Sequence, residues 1–262
     1  MAVETPSLHR WRRRIFRFGI WNLLYRFWMD MHIEGWENVP RSGPLIMMGN
    51  HIAAVDPVVI IYLFTDSDIV PMAKIEAWDQ PVTRYFVHHW GAISVRRGEL
   101  DLTALKTAIK QVEQGDVVML YAEGTRSTTG LLQGQEGSVY LALKTEATIV
   151  PVAIWNTHDF PQAWWRDVQR HSIYLRFGQP FKFKQEGKRL PRDQFQAMTD
   201  EAMYRISHLL PAEWRGVYSD LSAATTNHLD FDLKWEPPSQ DLPQRVTLSS
   251  DAVEQLLTAE PA

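Results

Sequence analysis

His51 and Asp56 stand close together in Gly49-Asn-His-Ile-Ala-Ala-Val-Asp-Pro57, an imidazole and a carboxylate separated by mostly small or apolar residues. An imidazole titrates near neutral pH and so can take a proton from an alcohol, while a carboxylate at hand fixes its tautomer and stabilises the imidazolium. That is the equipment of a general base and its orienter. It needs no serine or cysteine nucleophile when the substrate supplies the hydroxyl. The spacing alone is common by chance, and a structural pair is the competing reading.

A second constellation follows. Val117-Val-Met-Leu-Tyr-Ala122 is an apolar, strand-like run ending in Glu123-Gly-Thr-Arg-Ser127, a turn with a carboxylate, a flexible glycine, two hydroxyls and a guanidinium. Such a turn suits the gripping of a phosphate or a polyol, because a guanidinium meets phosphate oxygens bidentately.

Asn50-His51, Asp56 and Glu123 to Ser127, in this order, resemble the motifs of the glycerolipid acyltransferase superfamily, and most of all its bacterial 1-acylglycerol-3-phosphate acyltransferases. Gly91-Ala-Ile-Ser-Val-Arg-Arg-Gly98 is similar to the family's second block, Ile149-Val-Pro-Val-Ala-Ile154 to its fourth, and Ala73-Lys-Ile-Glu76 to its lysine-bearing segment. The resemblance covers roughly residues 30 to 220. It implies a glycerol-3-phosphate acyltransferase-like fold in which His51 deprotonates the free hydroxyl of a lysophospholipid, the oxygen attacks an acyl thioester, and Asp56 holds His51. The leading product is phosphatidic acid.

The resemblance nominates Arg126, Lys74 and Arg97 for the acceptor's phosphate, and places Glu123, Gly124 and Thr125 in the substrate-binding turn. Glu123 stays open between orienting Arg126, accepting a glycerol hydroxyl, and a purely structural pairing with Arg126. Gly124 is expected to permit the turn. No cofactor is implied, and the acyl donor is either acyl-CoA or acyl carrier protein.

Two departures bear on the acceptor. Gln133-Gly-Gln-Glu-Gly137 stands where the family has a basic, lysine-rich step, and Arg96 stands where an aspartate often precedes the second-block arginine. The first removes positive charge and the second adds it, so another lysolipid or a glycolipid is the alternative acceptor. A hydrolase that activates water with the same pair, and a lipid-binding protein without turnover, are the remaining alternatives. No Gly-x-Ser-x-Gly turn supports a hydrolase.

Composition agrees with a lipid enzyme. The chain has 262 residues, 45% of them hydrophobic, enough for one large α/β core. It has no cysteine, which excludes disulfides and thiolate chemistry. Its nine histidines show no ligand spacing beyond the adjacent His88-His89, so no metal is expected. A net charge of −4 argues against a nucleic-acid partner.

The elements that must position these residues alternate. Strands are predicted at Met31 onward, Pro44 to Met48, Ile69 to Ala73, Ile93, Val117, Ile149 to Trp155 and Ser172 to Phe177. Helices are predicted from Asp56, through Tyr85 to Trp90 beneath the Ile93 strand, from Leu102 to Glu113, Ser138 to Lys144, and Arg192 to Leu210. This pattern predicts an α/β fold, a mixed and mostly parallel sheet surrounded by helices, over residues 31–220.

Residues 1–30 carry Arg10, Arg12, Arg13, Arg14 and Arg17 among tryptophans and phenylalanines, and Arg26 further interrupts the apolar run. The segment is too broken by charge to span a bilayer and is predicted to be an interfacial helix. It places the protein at the cytoplasmic face of the membrane, peripheral or monotopic. Residues 221–262, rich in proline, serine and aspartate, are predicted to form a mobile tail with a short helix near Val253 to Leu257. Trp164-Trp165 is read as core, acyl tunnel or membrane surface.

Overall fold

The computed structural model describes residues 29–40, 42–64, 69–98, 101–158, 171–184 and 191–235, the last range without the side chains of Arg192 and Asp193. The predicted interfacial helix, Trp164-Trp165 and the helix near Val253 lie outside the described residues.

In chain order the elements are β1 (Met29–Glu34), β2 (Leu45–Gly49), α1 (Asp56–Leu63), β3 (Ile69–Lys74), α2 (Pro81–His89), β4 (Ile93–Val95), α3 (Leu102–Glu113) and β5 (Val117–Tyr121). Then come α4 (Gly137–Thr145), β6 (Thr148–Trp155), β7 (His171–Phe177), β8 (Lys182–Phe183), α5 (Arg192–Leu209) and β9 (Leu229–Asp230). The main sheet is ordered β1-β7-β6-β2-β5-β3-β4. All its pairings are parallel except β6 with β7, so β1 and β7 run against the other five strands. The sheet is mixed and mostly parallel, as the alternation of elements predicts.

Central strands read as continuous apolar runs because both faces are covered. Along β2, Ile46 and Met48 join a core with Ala108 and Val112 of α3, Leu141 of α4 and Met203 of α5. Leu45 and Met47 join the opposite core with Val59, Ile60 and Leu63 of α1. Helix α1 is apolar nearly all round and buried to match. Pro151 is tolerated in central β6 because pairing with β7 begins one residue later, at Val152.

Two expectations change. Helix α2 forms where predicted, but none of its side chains is buried, and it packs chiefly on the single 3-10 turn Ile75–Trp78 rather than beneath β4. The tail begins later than residue 221. Residues to 235 continue as turns and as β9, which pairs with β8 and buries Leu229, because Asn227 and His228 donate backbone N–H groups to buried Glu201.

Candidate active site

β2 and β5 are adjacent, parallel and in register, with Gly49 opposite Tyr121. The two loops leaving them therefore emerge side by side. His51 lies two residues past Gly49, and Glu123 two past Tyr121. The sheet's register thus brings together two motifs 72 residues apart.

His51 Nδ1 lies 2.8 Å from Asp56 Oδ2. The same oxygen accepts the backbone N–H groups of Ile52 at 2.7 Å and Ala53 at 2.8 Å, and the other, Oδ1, accepts the Thr157 hydroxyl at 2.7 Å. Asp56 is wholly buried at the first turn of α1, where the helix dipole also favours its charge. A carboxylate held by these donors can only accept, so Nδ1 carries the proton and Nε2 the lone pair. That is the tautomer a general base requires.

The imidazole stacks on Tyr121, ring centroids 4.0 Å apart and planes within 9°. Burial, and after it the Asp56 charge, pushes the Tyr121 phenol well above its ordinary value, so it stays protonated. Its hydroxyl is buried without a hydrogen-bond partner among the described residues.

Glu123 lines the groove and is bound to the backbone. Its Oε1 accepts the His51 backbone N–H at 2.9 Å and its Oε2 that of Leu132 at 2.8 Å, so it ties both loops together. Burial pushes its carboxyl up to about 7, against the pull of the two N–H donors. A second tie runs from Ser127 N–H to the His51 carbonyl, 2.8 Å. Gly124 has φ of +69°, the left-handed conformation that glycine adopts without strain, and so makes the turn.

The remaining predicted residues gather around an open groove of about 1720 Å³ beside His51. Lys74 at the end of β3, Arg97 after β4, and Thr125 and Arg126 after β5 all line it. The Arg97 guanidinium reaches Thr125 Oγ1 at 3.5 Å; burial lowers its pKa, Glu76 works against that, and Arg126 adds to it. Two arginines that feel one another at the mouth of a groove form a site for an anion. Arg96 lines the same groove, and its backbone N–H donates to Asp101, the residue that caps α3. Val58, Met72, Phe86, Trp90 and Leu141 give the groove its apolar length.

Two supports escape sequence reasoning. Asn50 exchanges two hydrogen bonds of 2.8 Å with the Ile154 backbone, extending the sheet by a side chain. Thr157 reaches Asp56 from 101 residues away, and only the pairing of β6 beside β2 makes them neighbours. Tyr121, stacked on His51, is also missed, because the β2–β5 register that sets it opposite Gly49 is not legible in the sequence.

The Acyltransferase family model matches residues 30–155, the stretch that holds every predicted site residue. Over those residues the chain is similar to the acyltransferase family. The chain is 35% identical over 131 residues to a 1-acyl-sn-glycerol-3-phosphate acyltransferase of Borreliella burgdorferi, covering 49% of this chain and 52% of that one. It is 24% identical over 173 residues to the Bacillus subtilis protein of the same name, covering 66% and 84%. The chain thus spans about half the length of the Borreliella relative and most of the Bacillus one. In fold the domain resembles the crystal structure of the 1-acyl-sn-glycerophosphate (LPA) acyltransferase PlsC from Thermotoga maritima. The TM-score is 0.56 at 22% identity, over 76% of this chain and 80% of that one.

Proposed function

We propose that this acyltransferase domain moves a fatty acyl chain from an acyl thioester to the free hydroxyl of a lysophospholipid, with 1-acylglycerol-3-phosphate as acceptor and phosphatidic acid as product. One observation carries the reading. A tautomer-fixed His51 opens onto an apolar groove whose mouth is lined by Lys74, Arg97 and Arg126.

In this mechanism the phosphate sits among the three cations, which places the acceptor's hydroxyl near His51 Nε2. His51 takes the hydroxyl proton, the oxygen attacks the thioester carbonyl carbon, and the C–S bond breaks. The thiolate leaves with the proton that His51 returns, so the products are an ester and a free thiol. Asp56 stabilises the imidazolium between the two proton transfers. Names of the Borreliella and Bacillus relatives support the acceptor; the donor is acyl-CoA or acyl carrier protein. The working surface is the cytoplasmic face of a membrane, with residues 1–28 as one contact. Among the described residues no helix is long and apolar enough to cross a membrane.

The test follows acyl transfer by mass spectrometry, using purified chain and its His51→Ala variant with both donors and a panel of lysolipids. Transfer to lysophosphatidic acid that disappears in the variant is expected. Transfer only to another lysolipid would move the acceptor. Fatty acid released without an acceptor would replace the reading with a hydrolase.

A further inference from the structure

Helix α2 with the 3-10 turn before it forms one wall of the groove, and this wall carries exposed apolar side chains. Val82 is 69% exposed, Tyr85 46% and Ile75 41%, three large apolar side chains on adjoining elements. A nine-residue helix is marginal in water by itself, and helices of this length normally owe their stability to an apolar face buried against a core. Helix α2 has no fully buried side chain: Phe86 packs half-buried on the core, while Val82 and Tyr85 in its N-terminal half are exposed. Its N-terminal half stands at the edge of the sheet where β2, β3 and β5 end, the edge that also carries His51.

We propose that the Ile75–Trp78 turn and the N-terminal half of α2 form a docking surface for an anionic lipid bilayer. Two observations select that occupant. The patch is continuous with the groove, since Val82 and Tyr85 line it and are exposed. An acyl chain leaving a membrane through this mouth would stay against apolar surface throughout. Lys74, Arg96, Arg97 and Arg126 line the same groove against Glu76, Asp101 and Glu136, while the fourth carboxylate, Glu123, is buried and bound to two backbone amides; the exposed charge there is positive by one and matches lipid phosphates. Apolar side chains ringed by cations at the entrance of a lipid groove fit a membrane interface better than a protein partner. The proposal takes its lipid from the acyltransferase reading, but its test does not require turnover.

The chain's lack of cysteine makes the test direct. Single substitutions Ile75→Cys and Val82→Cys, and Glu113→Cys as control, are made in the full chain and labelled with a polarity-sensitive fluorophore. Glu113 is exposed at the far end of α3, next to the turn that starts β5, and so lies at the opposite edge of the sheet. Vesicles of phosphatidylethanolamine and phosphatidylglycerol should blue-shift the labels at 75 and 82 and raise their intensity several-fold. Bromine-labelled acyl chains should quench both, with the label at 113 unmoved.

Vesicle-bound protein whose label at 75 does not respond would overturn the proposal. A response at 82 alone would overturn it too, since Ile75 is outside the groove lining and that pattern means lipid in the groove without docking. Shifts that follow protein concentration without vesicles would assign the face to a second copy instead. These readouts stay separate from the chemistry: labels that respond in a chain without transfer activity would keep the docking surface and remove the enzyme reading.

Discussion

At the residue scale, Asp56, Glu123 and Asn50 are buried polar groups with partners, the Tyr121 hydroxyl is buried without one among the described residues, and the mutations that matter differ by what they leave unpaired. His51→Ala removes the base and should lower kcat by about 10²–10⁴-fold with little change in stability, because the imidazole carries no other side-chain hydrogen bond. Asp56→Asn separates charge from geometry. The Asn oxygen can occupy the position that accepts from His51, Ile52 and Ala53, and its NH2 can donate to the Thr157 hydroxyl. The tautomer is then preserved and only the negative charge is lost. The variant should fold, and its kcat should fall by less than that of His51→Ala, a comparison made with steady-state kinetics and thermal unfolding. Arg126→Ala, by contrast, touches an exposed residue proposed to hold the acceptor's phosphate. A hydrogen bond to a charged group is worth about 1.5–3 kcal/mol, so kcat/KM for lysophosphatidic acid should drop about 10–100-fold, with a smaller loss for a lysolipid that lacks a phosphate monoester.

At the element scale, the catalytic loops are held by carboxylate-to-amide ties and one turn conformation. Glu123 binds a proton on folding, since its folded pKa of about 7 lies above the ordinary 4.5. Its contribution to stability is therefore complete below about 4.5 and is lost as pH rises through 7. A shift of that size corresponds to roughly 3 kcal/mol. Urea unfolding at pH 5 and pH 8 should show wild type losing its advantage over Glu123→Gln at the higher pH; an advantage independent of pH would mean that Glu123 is ionised in both states. Gly124→Ala tests the turn. A Cβ there meets only Gln135 Cγ, at 3.4 Å, so space is available and the cost is the left-handed backbone, about 1–2 kcal/mol. Activity should fall while the far-ultraviolet circular dichroism is unchanged.

At the scale of the whole molecule, the domain boundaries set what can be removed. Met29 is buried and pairs with His171, so the folded domain begins two residues before the predicted boundary. A deletion test of the basic, aromatic N-terminal segment should end at Trp28, because cutting through Asp30 would strip β1 from the sheet. Removal of residues 1–28 should weaken sedimentation with anionic vesicles, and the remaining binding should be reduced further by Ile75→Ser with Val82→Ser. Unchanged sedimentation of the deletion variant would take the N-terminal segment out of membrane contact.

Most of this fold is legible in the sequence, because apolar period and length mark strands and helices locally. Val117 to Leu120 and Ile149 to Trp155 read as buried strands, the α3 pattern repeats at helical spacing, and the embedded motifs name His51, Asp56 and Arg126 without coordinates. Asp56 to His51 is legible for the same reason, since a loop and the first turn of a helix bring near neighbours together. Three things wait on tertiary structure, each because it joins distant parts of the chain. The register of β2 with β5 makes Glu123 a tie on the His51 loop. The placement of β6 beside β2 brings Thr157 and Ile154 to Asp56 and Asn50. The stance of α2, whose sequence mixes apolar with polar residues, is decided by the groove it borders, where Phe86 reaches the core and Val82 and Tyr85 stay exposed.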